Sequence, residues 1–332
     1  MKKRILYFIA TAIIASAAWV SCQEKPDDEE DNNDPKIQIT ATVSAYFDLK
    51  LEMAGKGKMT IKWGDGTATE THMLSDTLKI FKHNYKKSAS YTILITGDII
   101  RLGCSTGNIT YLDVSQHPGL IDLNCSNNRL TSLDVSKNTA LLYLYCSGNI
   151  LTNLDVSNIT TLVNLFCGGN RLAHLDVSRH RYLSSLDCSG NLLTHLDVRE
   201  NGMLTSLNCS RNNITNLDLS RNSLLASLDC SINNLTNLDI SRNPMLTHLD
   251  CSLNANASNS GLSSLDMSRN KMLQRLICRW NDFSDAALNA LFETLHGDAF
   301  PVDNSVDIVG NPGTNLCDPS IAEYKGWKII LY

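Results

Sequence analysis

Leu120 to Asn138 reads LIDLNCSNNRLTSLDVSKN and Leu141 to Ile159 reads LLYLYCSGNILTNLDVSNI, with the apolar positions in register. The cysteine recurs at a step of 21 residues through Cys104, Cys125, Cys146, Cys167, Cys188, Cys209, Cys230 and Cys251, then at Cys278 after an insertion of six. Self-similarity at such a period means that one small unit is stacked many times, because a lone unit cannot bury its apolar face. The stretch 99–283 is therefore a solenoid. Each unit splits into two similar halves, LxxLxCSxN and LxxLDVSxN, and the leucine, spacer, Cys or Val alternation places those side chains on one face of a short strand. Twenty-one residues are too few for two strands and a full helix, so the spacing predicts a mainly β coil with two short strands and no helix.

The inward columns follow by counting. Five residues after each cysteine stand Ile109, Leu130, Leu151, Leu172, Leu193, Ile214, Leu235, Leu262 and Phe283. Three residues after it stand Asn128, Asn149, Asn170, Asn191, Asn212, Asn233, Asn254 and Asn281. At a corner the chain leaves the ladder and exposes backbone groups that need partners, and an inward amide both donates and accepts. A second asparagine column (Asn138, Asn201, Asn222, Asn243, Asn270) is less regular, with His117, Ile159 and His180 in its place.

LxxLxCSxNxL resembles the leucine-rich repeat consensus LxxLxLxxNxL, with Cys for the third leucine. The nested LxxLDVSxN half is similar to the short 21-residue bacterial class of that family, internalin-like in its repeats. This resemblance implies a right-handed solenoid that binds macromolecules through exposed strand positions.

At the start of the chain, Lys2, Lys3 and Arg4 precede an apolar run from Ile5 to Val20 that ends at Ser21-Cys22. The run is shorter than the ~20 residues a transmembrane helix needs, so 1–21 reads as a signal peptide. Ser21-Cys22 resembles the end of a lipobox, with Trp19 where leucine is usual, and implies a bacterial lipoprotein lipidated at Cys22; the alternative is an ordinary signal peptide with an incidental cysteine. After Cys22 the sequence QEKPDDEEDNNDP cannot bury apolar surface and repels itself, so 22–36 reads as a disordered tether. An acidic stretch beside the lipidated cysteine resembles the signal that sends some outer-membrane lipoproteins to the cell surface. Removing the three leader cations takes the formal charge from −5 to −8, which disfavours nucleic acid as a partner and leaves the lipid as the one contact with membrane.

Between 37 and 98 the runs IQITATV, MTIKW, TLKIF and YTILIT are strand-like and separated by Gly, Lys and Asp. Trp63-Gly64-Asp65-Gly66 is a turn in which glycine supplies positive φ. With His83-x-Tyr85 and Tyr91-Thr92-Ile93 it resembles the immunoglobulin-like PKD module, although Ser90 stands where glycine is usual. We read 37–98 as a small β-sandwich-like module that also caps the open end of the solenoid. Residues 284–332 read as an α/β cap, with an amphipathic helix opened by Ser284, a strand at Val306 to Val309, a short helix near Pro319 to Tyr324 and a last strand at Trp327 to Leu331. Trp280 is expected to pack beneath that helix.

No Ser, His and acid converge in a motif, and no glycine-rich phosphate loop occurs, so the reading is not an enzyme and needs no cofactor. Asp65, His72 and His83 are weak evidence for catalysis. Cysteines in an exported chain usually pair, yet in-register strands about 4.8 Å apart hold successive Cβ atoms slightly too far apart, and buried thiols are the better reading. No CxxC or paired His favours metal on the ladder. The aspartate column Asp113, Asp134, Asp155, Asp176, Asp197, Asp218, Asp239 and Asp266 would repel itself unless bonded to Ser, Thr or backbone or countered by Lys137, Arg179, Arg221, Arg242 and Arg269; calcium along it is the alternative. His174 and His195 stack at equal positions and read as solvent-facing fillers. What varies is the outward face of the cysteine-bearing strand: Tyr143, Tyr145 and Phe166 in early coils, then Asp187, Asp229, His248, Asp250 and Arg275. These are the candidate contacts for a protein or glycan partner; the alternatives are a glycan-capture lipoprotein serving nutrient acquisition, and ordinary surface variation on a purely structural envelope protein. Cys22→Ser is expected to abolish incorporation of labelled fatty acid and to move the protein from the membrane to the soluble fraction; unchanged membrane retention would refute the anchor.

Overall fold

The computed structural model describes residues 34–255, 260–297 and 304–332. The leader, Cys22 and the tether up to residue 33 lie outside the described residues. The chain divides into two compact units, one ending at Tyr143 and one running from Leu144 to Tyr332. Both are mainly β, and the repeats coil as a β-solenoid.

In the first unit the alternation of Ile37, Ile39, Ala41 and Val43 buries one face of β1 (Lys36–Val43). β1 lies antiparallel between β5 (Ala89–Gly103) and β6 (Ile109–Asp113). β2 (Phe47–Lys62) pairs with β3 (Glu70–Leu74), β4 (Lys79–Tyr85) and β5. The half of β2 from Phe47 to Met53 escaped the sequence reading, since FDLKLEM alternates charged and apolar residues without the Ile and Thr that mark its neighbours. β5 joins the module to the repeats. Its middle pairs with β1 and β2, whereas Arg101 to Gly103 pair in parallel with β7 (Asp122–Asn124). Gly97 makes the transition at φ 128°, where a side-chain Cβ would come within 2.9 Å of the Lys58 carbonyl.

β8 (Tyr143–Tyr145) carries the chain into the second unit. There one three-residue strand per coil pairs in parallel and in register: β9 (Asn164–Phe166), β10 (Ser185–Asp187), β11 (Ser206–Asn208), β12 (Ser227–Asp229), β13 (His248–Asp250) and β14 (Arg275–Ile277). Register survives the insertion, because Cys251 N donates to Ile277 O at 2.9 Å. The leucine and cysteine columns are fully interior; Leu186, Leu207 and Leu228 are 1% exposed.

The expectation of two strands per coil fails for most of the repeat. The LxxLDVSxN half is a strand in the first coil, where β6 finds β1 as a partner. In later coils it is extended without a ladder. Side-chain bonds close this half in every coil, Asp113 Oδ1 accepting the Ser115 N–H as Asp176 Oδ1 accepts that of Ser178 and Asp218 Oδ1 that of Ser220, so what sets the first coil apart is β1 as a partner edge. The carbonyls of Val177 and His180 receive the side-chain amide of Asn201 from the next coil at 2.8 and 2.9 Å.

The first asparagine column does what corner chemistry requires. Asn191 Oδ1 accepts the Leu172 N–H at 3.0 Å, and its Nδ2 donates to the carbonyls of Cys167 and Cys188 at 3.1 and 3.0 Å. The second column uses only the donor. The buried Oδ1 atoms of Asn201, Asn222 and Asn243 meet no donor among the described residues. That explains its irregularity, since His180 Nε2 makes the equivalent bond to Val156 O at 3.1 Å and His117 Nε2 makes one to Gly97 O at 3.0 Å.

The end of the second unit is an α/β cap. Ser284 caps α1 (Asp285–Thr294) by accepting the Ala287 N–H, and Leu288, Leu291 and Phe292 face inward. β15 (Ser305–Asp307) and β16 (Lys328–Ile330) extend the parallel sheet, with α2 (Ser320–Glu323) between them. Trp327 Nε1 donates to His296 O, and His296 Nε2 bonds Leu273 O of the last coil, so the cap is pinned to the repeat.

Leu186→Ala is expected to cost about 2–5 kcal/mol, and Asn191→Ala about 1–3 kcal/mol because it strands the buried Leu172 N–H and takes one of two amide donors from the carbonyls of Cys167 and Cys188. Ser185→Ala on the outer face should stay within about 0.5 kcal/mol. Urea denaturation of the three variants measures all of this, and an Asn191 cost no larger than that of Ser185 would refute the corner account.

Candidate functional site

The parallel register sorts the outward side chains into two rows. One row of the second unit runs Asn164, Ser185, Ser206, Ser227, His248 and Arg275. The other runs Phe166, Asp187, Asn208, Asp229, Asp250 and Ile277. Tyr145 meets Phe166 edge to face, with ring centroids 5.2 Å apart at 82°. Tyr143 precedes Tyr145 by two residues, and buried Leu144 lies between them, so both tyrosines leave β8 on its outer face. Asp187 sits beside Phe166 in register. Asp229 and Asp250 fall in the same row two and three strands further on, and His248 pairs with Arg275 in the first row.

These carboxylates are fixed in place. Asp187, Asp229 and Asp250 each take the N–H and hydroxyl of the serine two residues on, at 2.9 and 2.7 Å for Ser189, 3.0 and 2.6 Å for Ser231, and 3.0 and 2.6 Å for Ser252. Asn208 repeats the arrangement with Ser210. The turn after each strand is therefore tied by the same side chain that faces outward, which limits its rotamers before any partner arrives. His248 is exposed, and its Nδ1 lies 2.9 Å from Thr247 Oγ1.

A further column escaped the sequence reading. Two residues after the cysteine, Gly148, Gly169, Gly190, Arg211, Ile232, Leu253 and Trp280 all have φ between 55° and 67°. The signal was available, because glycine in three coils gives way to large side chains in the next four. Trp280 does not pack beneath α1 as expected. It is 51% exposed, with its indole over Gly310, where a Cβ would come within 2.6 Å of the ring. The left-handed backbone throws the side chain outward at this corner.

The other columns serve the frame. The nine ladder cysteines are buried thiols, and burial pushes Cys125, Cys167 and Cys209 up to about 12. In the aspartate column, hydrogen bonds from Arg199 hold Asp197 down at about 2, and bonds from Ser157, Ser178, Ser220 and Ser241 lower Asp155, Asp176, Asp218 and Asp239. Arg221, expected as a counter-ion here, reaches Glu200 at 3.3 Å instead. His174 and His195 are exposed. In the first unit, Asp65 bonds His83 at 2.7 Å, His83 stacks on Trp63 at 4.8 Å, and Glu70 takes both Trp63 Nε1 and His72. Burial opposes ionisation of Asp65, but hydrogen bonds from Thr67 and His83 outweigh it and lower the carboxyl to about 2. These pairs lock the Trp63 turn.

Among solved structures, the functional domain of InlJ from Listeria monocytogenes, which includes a cysteine ladder, is similar over 73% of this chain at 31% identity and a TM-score of 0.53. The chain has a leucine-rich repeat fold. It spans 56% of that InlJ domain. The leucine-rich repeat ectodomain of the Arabidopsis thaliana receptor kinase GASSHO1/SCHENGEN3, solved with CASPARIAN STRIP INTEGRITY FACTOR 2, is similar in fold over 60% of this chain and 25% of its own, at 18% identity and a TM-score of 0.50. No family model and no curated protein matches the sequence.

The ladder thiols make stability fall at alkaline pH. The unfolded chain releases thiol protons above its ordinary value near 9.0, whereas the folded chain holds them until about 12. Their contribution is thus complete below pH 9 and is lost as pH rises toward 12. With Cys22 replaced by Ser, a maleimide at pH 7.5 is expected to label at most half-exposed Cys317 in the native protein and ten cysteines in denaturant. Rapid native labelling of the ladder would refute its burial.

Proposed function

We propose that the chain is a non-catalytic recognition protein, anchored by lipid at Cys22 and exposed at the surface of a bacterial outer membrane, that binds a protein partner through the outer face of its repeat strands. The observation that carries the reading is the Tyr145–Phe166 edge-to-face pair on a face whose frame residues otherwise repeat coil after coil. The interior columns are constrained by packing, so aromatic residues on the outer rows have no frame to build. Aromatic side chains offer large contact area at low rotamer cost, and they dominate binding energy where they cluster. A preformed sheet presents them with little ordering to lose. The receptor ectodomain solved with its factor supports the same use of the fold. The PKD-like module at 37–98 serves as spacer and cap.

A glycan partner is the second reading, favoured by Asp187 beside Phe166, since a carboxylate next to an aromatic face suits sugar hydroxyls and ring carbons together. A pull-down from partner-cell extracts and a glycan array, run with wild type and with Tyr143→Ala, Tyr145→Ala, Phe166→Ala combined, separates the readings. The triple variant is expected to lose about tenfold or more in affinity with an unchanged melting temperature. Capture of a protein supports the first reading and array signal the second. Equal binding by both chains moves the site off this face, and no binding by either leaves a structural envelope role.

A further inference from the structure

We propose that Ile232, Leu253 and Trp280, together with Asp229 and Asp250, form a docking ridge for a polypeptide segment that carries Lys or Arg beside large apolar side chains. The proposal names a partner class for the recognition reading and rests on it.

The ridge begins from backbone strain. Ile232, Leu253 and Trp280 hold φ of 55°, 57° and 55°, a region that glycine enters freely and a β-branched residue enters rarely. Gly148, Gly169 and Gly190 occupy the same place in earlier coils, so the fold itself does not require a side chain there. Core burial does not offset the strain either, because Leu253 is 38% and Trp280 51% exposed and Ile232 is half-buried. Three large apolar groups are thus held outward at a position where the repeat works with hydrogen. Thr106, Asn127 and Arg211 share the φ, so it is the exposure of large apolar side chains at three successive places of the column that marks a contact surface.

The three residues form one row. Ile232 N donates to Ser252 O and Leu253 N to Arg279 O, both at 2.9 Å, and Trp280 N donates to Val309 O at 2.8 Å. These bonds stack the corners at the ladder spacing of about 4.8 Å. Gly310 gives the indole a flat seat, since any Cβ there would strike it, and so fixes one face of Trp280 while the other looks out.

Charge selects the partner. Asp229 and Asp250 lie three residues before Ile232 and Leu253, in register on adjacent strands, and each is oriented by its own serine. Arg211 holds the preceding place in the column, Arg275 stands on β14 in the other outward row, paired with His248, and Arg279 is drawn to Asp307 at 3.7 Å. The middle of the ridge is therefore acidic and apolar together. Trp280 offers one flat ring, but Ile232 and Leu253 beside it give a sugar nothing to stack on, whereas Leu, Ile or Phe side chains of a polypeptide pack against all three, and Lys or Arg meets the carboxylates.

The test is fluorescence anisotropy of the full chain with three labelled 16-residue peptides: one with Lys and Leu on a helical face, one with Glu for Lys, and one with Ser for Leu. Wild type is expected to bind the Lys–Leu peptide alone. Ile232→Gly, Leu253→Gly, Trp280→Gly combined should weaken it about tenfold or more while its melting temperature equals or exceeds that of wild type, because glycine relieves the left-handed backbone. Trp280→Gly alone gives the same direction with less perturbation. Asp229→Asn, Asp250→Asn combined should flatten the salt dependence. Wild-type affinity in the glycine variants, no binding of the Lys–Leu peptide by wild type, or a glycine variant of lower melting temperature overturns the ridge. If the ridge fails while Tyr145 and Phe166 still govern partner capture, the recognition reading stands; if capture is indifferent to both, neither survives.

Discussion

A coil of 21 residues must turn its backbone through a dry interior, and each corner leaves peptide groups that water cannot reach. The asparagine three residues after the cysteine answers this by spanning two coils. Asn212 Oδ1, for example, accepts the Leu193 N–H, and its Nδ2 donates to the carbonyls of Cys188 and Cys209. Burying one amide is costly, but leaving the Leu193 N–H unpaired and taking a donor from each carbonyl costs more, and here every polar atom of the amide is used. The strand ladder, the leucine columns and the closing cap all depend on corners that can be stacked in this way.

Once the corner is solved, the interior can be monotonous. Leucine fills the width of the coil, and cysteine sits where the space admits a small, polarizable side chain, which burial keeps as a thiol. The second asparagine column shows how tolerance follows from partial use. Only its donor is engaged, so a histidine Nε2 can replace it and Ile159 can dispense with it. The first column, with donor and acceptor both engaged, keeps asparagine from Asn128 to Asn281 and gives way at Gly107 in the opening coil.

The exterior is where the coils differ, and there the frame supplies order that a partner would otherwise have to impose. The serine after each strand ties the outward carboxylate at Asp187, Asp229 and Asp250, and the edge contact between Tyr145 and Phe166 fixes their rings. The same solenoid that makes interior residues interchangeable makes outward ones addressable, each at a set height and row.

The 21-residue period by itself determined the solenoid, the inward columns, the corner asparagines and the thiol ladder, because each depends on local spacing repeated until it could mean only one thing, and helical spacing after Ser284 gave the cap. The tertiary structure alone decided three other matters. Among the described residues the second half of the coil is a strand in the first coil alone, since ladder pairing needs a neighbouring edge and β1 is that edge for Ile109 to Asp113. Trp280 went outward instead of beneath α1, because a left-handed φ sets side-chain direction, and the glycines that mark that φ stand in earlier coils and not in this one. The rows on the outer face came from register across strands 21 residues apart, a contact between residues distant in the chain that only the stacked coils bring about.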